Sequence, residues 1–250
     1  MIVHPILRNR GGNVLDKRIN GNRLVRMLGL KDPAKELIKS YRDGSLAELL
    51  PGCLPIKSRS KRSDFEKIIT NLGKIEINFN LRMAVLLYPF DDNAAKYILE
   101  KYFVSNSSIE TILKTRNEAD EFSLINNKIK LKRFIYDNGW DCYHFLNEYV
   151  KALNDVMDLP SYKLLSKDYM VKEILQRREV IFQDDLNIEK NELVDSGVVD
   201  EKKVDRIMDA LTLHCQIAPS DNKYDILMNK ARYYNKHPVA MMFSGIRWIK

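Results

Sequence analysis

Three cysteines, two tryptophans and four histidines in 250 residues are the scarcest chemically informative side chains of this chain. An odd and small cysteine count excludes a disulfide framework and points to a reducing, intracellular compartment. No apolar run approaches the roughly 18 residues that a membrane span requires; the longest is Met83 to Tyr88. The basic N-terminus lacks the apolar core of a secretory signal. There is no internal repeat of roughly 20–50 residues. Also missing are a Walker A sequence, GxGxxG, GxSxG and HExxH. The four histidines are scattered, which leaves general-base chemistry without a place. The chain therefore reads as a non-enzymatic protein with no cofactor, no metal and no membrane partner.

What is present is globular composition, 45% hydrophobic and 30% charged, too apolar for a disordered chain. Apolar residues recur mostly at helical spacing. The fold class expected is mainly α: an irregular multi-helix body with a short β-strand or hairpin near 74–88 and an extended basic N-terminal arm. Residues 1–20 have arm character, with Gly11 and Gly12 set between basic pairs. Helices are expected over 22–30 and, opened by Asp32 and Pro33, to about Arg42. Residues 51–62 read as a solvated basic loop, and Ser63 with Glu66 has the capping-box spacing that opens the next helix. Ile75, Ile77 and Phe79 alternate with polar residues, the period-two pattern of a strand. Beyond Asp91 the pattern is helical, with Gly139 as a stop near the middle, Pro160 as a breaker, and 183–198 as a polar excursion.

The charge map is lopsided. Residues 1–63 hold 14 Lys or Arg against 5 Asp or Glu, a net +9 that exceeds the +7 of the whole chain and leaves −2 for the rest. Two domains follow from this division: a basic arm and small helical subdomain over 1–63, and a helical body with an apolar C-terminal segment over 64–250. A basic segment on a near-neutral body is the electrostatic footprint of a phosphate-binding face. The residues expected to carry it are Arg8, Arg10, Lys17, Arg18, Arg23, Arg26, Lys57, Arg59, Lys61 and Arg62. Phosphate contacts need exposed cations on segments that can follow a backbone, and both basic stretches qualify. No RNP strand, GxxG loop or C₂H₂ spacing accompanies them, so the pattern predicts polyanion affinity rather than sequence readout.

Rival readings were weighed against the same residues. Leu24–Leu30, the Lys31-Asp32-Pro33 turn and the helix after it have the length of a helix–turn–helix, though Lys35, Glu36 and Lys39 offer little base-reading chemistry. The helical pair over 200–215 and 221–236 has the same ambiguity. Cys142-x-His144 and His214-Cys215 lack zinc-ligand spacing, and the thiols fit better as small buried hydrophobes. Gly44-Ser45 with Asp64 and Glu66 has residue types of a nucleotidyltransferase site, and Asp195 with Glu201-x-Lys203 those of a nuclease. Neither pattern follows a strand as that chemistry requires. At the other end, Met241, Met242, Phe243, Ile246 and Trp248 form an apolar, aromatic segment suited either to closing the core or to anchoring a neighbouring subunit. The resulting expectation is a nucleic-acid-associated assembly protein of the nucleocapsid, virion or phage head–tail type, a homo-oligomer or larger assembly. A helix–turn–helix regulator is the first alternative and a nucleic-acid enzyme with an unrecognised site the second.

Overall fold

A computed structural model describes residues 23–102 and 105–243. Those residues form α-helices joined by short 3-10 turns, with no strand among them. The expected N-terminal arm lies outside the described residues. The chain divides into two units, and each is built on its own core. The first comprises the described residues up to Asp120 together with Phe145–Ser161; the second comprises Glu121–His144 and the described residues from Tyr162 on.

The first unit opens with α1 (Arg23–Leu28), α2 (Ala34–Arg42) and the single turn α3 (Leu46–Leu49), followed by α4 (Arg59–Asn71), α5 (Phe79–Leu86) and α6 (Asp92–Tyr102). Helix α7 (Asn106–Leu124) is next, and most of it belongs to this unit. In α4, Phe65, Ile68 and Ile69 are buried at helical spacing, and the ring of Phe65 sits between Tyr41 and Phe90, each 5.4 Å away between centroids. α2 packs on α4, and both α1 and α4 pack on α5. α5 is buried all round, from Leu81 to Leu86, as a helix at the centre of a unit must be.

One buried residue of α5 is charged. Arg82 is 1% exposed. Its guanidinium donates to the carbonyls of Leu28 (2.7 Å), Leu30 (2.5 Å) and Ile75 (2.6 and 3.2 Å). It thereby satisfies carbonyls left over at the end of α1 and beyond, and burial holds its pKa below the ordinary arginine value.

Residues 74–88 do not form the expected strand or hairpin. A 3-10 turn (Leu72–Lys74) leads into a short extended link, and Asn78 Oδ1 accepts from the backbone N–H of Leu81 to cap α5. The alternation that suggested a strand does not share a face: Ile75 is buried, whereas Ile77 is 62% exposed. The cap diverts the chain into a helix before a ladder could begin. The helix start expected at Ser63 is also earlier, at Arg59, with Ser58 Oγ accepting from Lys61 N–H. The boundary after Ser63 is thus one of charge and falls inside α4.

α8 (Lys128–Met157) is interrupted at Gly139, whose φ of 80° and ψ of 165° no helix shares. The second unit continues with α9 (Tyr162–Gln176), α10 (Lys190–Asp195), α11 (Val204–Ile217), α12 (Tyr224–Lys236) and α13 (Pro238–Phe243). Its core joins Leu186, Ile188, Leu193 and Val199 to Ile207, Leu211, Cys215 and Leu227. Residues 183–198 are therefore core-forming rather than an excursion; their apolar side chains were too irregularly spaced to show periodicity.

Candidate functional site

The first unit carries most of the exposed, unopposed positive charge. α2 begins where Asp32 Oδ1 accepts from Ala34 N–H at 3.1 Å and Pro33 sets the chain direction. Its inward face holds Leu37 and Ser40, both fully buried. The 3.6-residue period then puts Lys35, Lys39 and Arg42 outward at i, i+4 and i+7. All three line one open concavity of about 680 Å³, together with Ile38 and Asp43. The row spans about 10 Å of helix at 1.5 Å per residue. Lys39 and Arg42 lie in the last turn, where the helix dipole favours positive charge. Asp43, one residue beyond, accepts from Ser45 N–H at 2.9 Å, and the Ser45 side chain first, then this backbone bond, hold its carboxyl below the ordinary aspartate value.

A second set surrounds the start of α4. Lys57, Arg59, Lys61 and Arg62 are exposed, but from Arg59 on they stand on a helix rather than a loop. Cations in a first turn oppose the dipole, and no acidic residue offsets them there. Arg62 is partly committed: its Nε and one Nη donate to the Ile56 carbonyl at 3.2 and 2.8 Å. Beside it opens a groove of about 510 Å³, lined by residues of α2, α4 and the link between them, including Tyr41, Gly44, Pro55 and Glu66.

Among the described residues, no Lys or Arg from Arg23 to Lys67 takes part in an ion pair. Arg23 instead donates to the buried Ser40 hydroxyl at 2.8 Å, which ties α1 to α2, and Arg26 is exposed on α1. Arg8, Arg10, Lys17 and Arg18 lie outside the described residues. The row Lys35, Lys39, Arg42 is the feature that sequence reading missed as a unit. Its signal was available in the outward i, i+4, i+7 spacing.

α1 is six residues long and packs on α5, while α2 packs on α4. Gly44 and Glu66 line the same groove, but Asp64 does not, and Phe65 between them is core. Cys215 is fully buried, and burial pushes its thiol up to about 11. His214 pairs with Asp221 at 2.8 Å, and His144 stacks on Trp140. Among the described residues, no three His, Cys, Asp or Glu side chains are grouped to hold a metal. No helix is long and apolar enough to cross a membrane among those residues. Met241 packs against the core of the second unit; Met242 and Phe243 belong to α13, and Ile246 and Trp248 lie outside the described residues. Comparison with family models, curated proteins and solved structures finds no match for this chain.

Proposed function

We propose that this chain is a non-enzymatic, nucleic-acid-associated assembly protein that holds a phosphate backbone on the α2–α4 face. The observation that carries the reading is the row Lys35, Lys39 and Arg42, three exposed cations lining one concavity with no ion-pair partner among the described residues. A protein surface at ordinary composition tends to intersperse both signs; three cations against one carboxylate, Asp43, on a concave surface still leave a net positive row that concentrates counter-ions and favours a polyanion over a single small anion. Lys57, just before α4, and Arg59 and Lys61 at its start add further exposed charge. The apolar, aromatic composition of residues 241–248 is what the assembly part of the reading rests on.

The test is light scattering and fluorescence anisotropy of the full chain with a short single-stranded oligonucleotide across a salt series. Salt-sensitive growth of a defined complex is expected. Replacing Lys35, Lys39 and Arg42 together by Ala is expected to lower the slope of log K against log salt by about 2, at roughly 0.7 per phosphate contact on a single strand. Lys57→Ala, Arg59→Ala and Lys61→Ala combined should do the same. A chain that stays unchanged on adding the oligonucleotide at low salt rejects the reading.

A further inference from the structure

We propose that the groove between α2 and α4 receives one unstacked guanine base of a bound single strand. This rests on the phosphate-binding reading above and names what the strand offers to the protein beyond its phosphates.

The groove adjoins the phosphate face directly. Tyr41 and Gly44 line it, while their chain neighbours Arg42 and Asp43 line the cationic concavity. A strand whose phosphates lie along Lys39 and Arg42 therefore has a base within reach of the groove. At about 510 Å³, the groove has room for a purine. Its walls include Ala47, Leu54, Pro55 and Ile56, apolar side chains against which an unstacked base can bury its faces.

Three polar side chains line the same groove: Tyr41, Arg62 and Glu66. Each has hydrogen-bonding capacity left over. The two bonds from Nε and Nη2 to the Ile56 carbonyl fix the guanidinium of Arg62, so its remaining donors are pre-oriented rather than floppy. Glu66, one turn along α4, has no cation in ion-pair range among the described residues, and the Tyr41 hydroxyl has no hydrogen-bond partner among them. The Tyr41 ring is held edge-on by Phe65. Burial raises the Tyr41 phenol above its ordinary pKa, Glu66 adds to the rise and Arg62 opposes it, so the three groups act on one space.

The chemistry selects the base. A carboxylate only accepts hydrogen bonds, and it accepts two side by side. Guanine alone among the four bases presents two adjacent donors, N1–H and N2–H, on its pairing edge. Its O6 and N7 accept, which suits the free donors of Arg62 and the Tyr41 hydroxyl. Glu66 is exposed in the free chain; a base seated in the groove takes the place of its water, and adenine, cytosine and uracil would each leave part of the carboxylate without a donor.

The experiment uses the full chain and four oligouridine strands of about ten nucleotides, with uridine, guanosine, adenosine or cytidine at the centre. Anisotropy is read at one salt concentration and then across a salt series. The guanosine strand is expected to bind about tenfold tighter than the others, the discrimination of one good bidentate base contact. Glu66→Gln should bring it down to the uridine strand while leaving the salt slope unchanged, and Tyr41→Phe should cut the preference severalfold. Ala at Lys39 and Arg42 should weaken all four strands alike. Equal binding of all four strands by the unaltered chain, or a guanosine preference that survives Glu66→Gln, overturns the base pocket and leaves the phosphate face standing. Failure of every strand to bind overturns both.

Discussion

The cations from Arg23 to Lys67 in the first unit and the buried cations of the second unit are treated in opposite ways. From Arg23 to Lys67, every lysine and arginine is exposed and none is in an ion pair among the described residues. In the second unit, Lys132 is 1% exposed and its ammonium lies 2.8 Å from Glu179, whose other oxygen takes Lys128 at 2.8 Å. Lys128 also reaches Glu173 at 3.3 Å, and Glu173 holds Arg177 at 2.9 Å. Burial pushes the Glu179 carboxyl up, but the hydrogen bonds from Lys128 and Lys132 outweigh it and hold it below the ordinary value. Burial lowers Lys132, offset only in part by Glu179. Charges inside a fold need internal partners, whereas the exposed cations from Arg23 to Lys67 are left to water or to an external anion. Arg82 supports the rule from within the first unit: once buried, it is satisfied, here by carbonyls.

This comparison can be broken at several points. The largest effect is expected for Glu179→Ala, which strands Lys132 without a counter-charge. A loss of about 3–5 kcal/mol is expected for removing one partner of a buried pair, read by urea unfolding. A loss below about 1 kcal/mol would mean the pair is not what holds this part of the unit. Arg82→Met should cost about 3 kcal/mol or more, since the carbonyls of Leu28, Leu30 and Ile75 lose their donor at about 1–3 kcal/mol for each group left unsatisfied.

Lys167 sharpens the comparison from the other side. It is fully buried, 5.0 Å from the Phe122 ring centre and 3.5 Å from the Ser123 carbonyl, with no carboxylate in ion-pair range among the described residues. Burial is the main reason its pKa is lowered, and Lys163 adds to it. The unfolded chain then keeps its proton to higher pH than the folded one, so this group's contribution to stability rises as pH climbs from the folded value toward about 10.5. Lys167→Met should therefore raise stability near neutral pH by about 1–2 kcal/mol, with the gain over the parent shrinking as pH rises from 8 to 10. Thermal melts of both chains at the two values decide it; a gain that stays constant with pH would show that Lys167 titrates as an exposed lysine does. The smallest effect belongs to the open row. Alanine at Lys35, Lys39 or Arg42 should change folding stability by no more than about 0.5 kcal/mol each, while polyanion binding falls.

Much of the helical layout was legible because it depends on neighbours in sequence. Asp32 and Pro33 mark the start of α2, and Gly139 the break in α8. The strand over 74–88 misled because alternation over six residues is a weak signal against a strong local cap at Asn78. Ser63 with Glu66 misled for a related reason: Ser58 offers the same cap one turn earlier, and Ile56 with Arg62 pins the chain there. The basic stretch at 57–62 was legible as exposed charge, but not as a helical turn. The row on α2 was half visible, since Lys35 and Lys39 stood out while Arg42 did not.

The sequence by itself determined helix periodicity and the concentration of positive charge in the first quarter. Each of these follows from composition or from spacings of a few residues. Only the tertiary structure decided that Arg82 and Lys132 would be buried while Lys35, Lys39 and Arg42 stay open, and that Tyr41, Arg62 and Glu66 would share one groove. Burial and pairing depend on which elements pack against a residue. Glu179 meets Lys132 across 47 positions of chain, a separation over which no local pattern carries information.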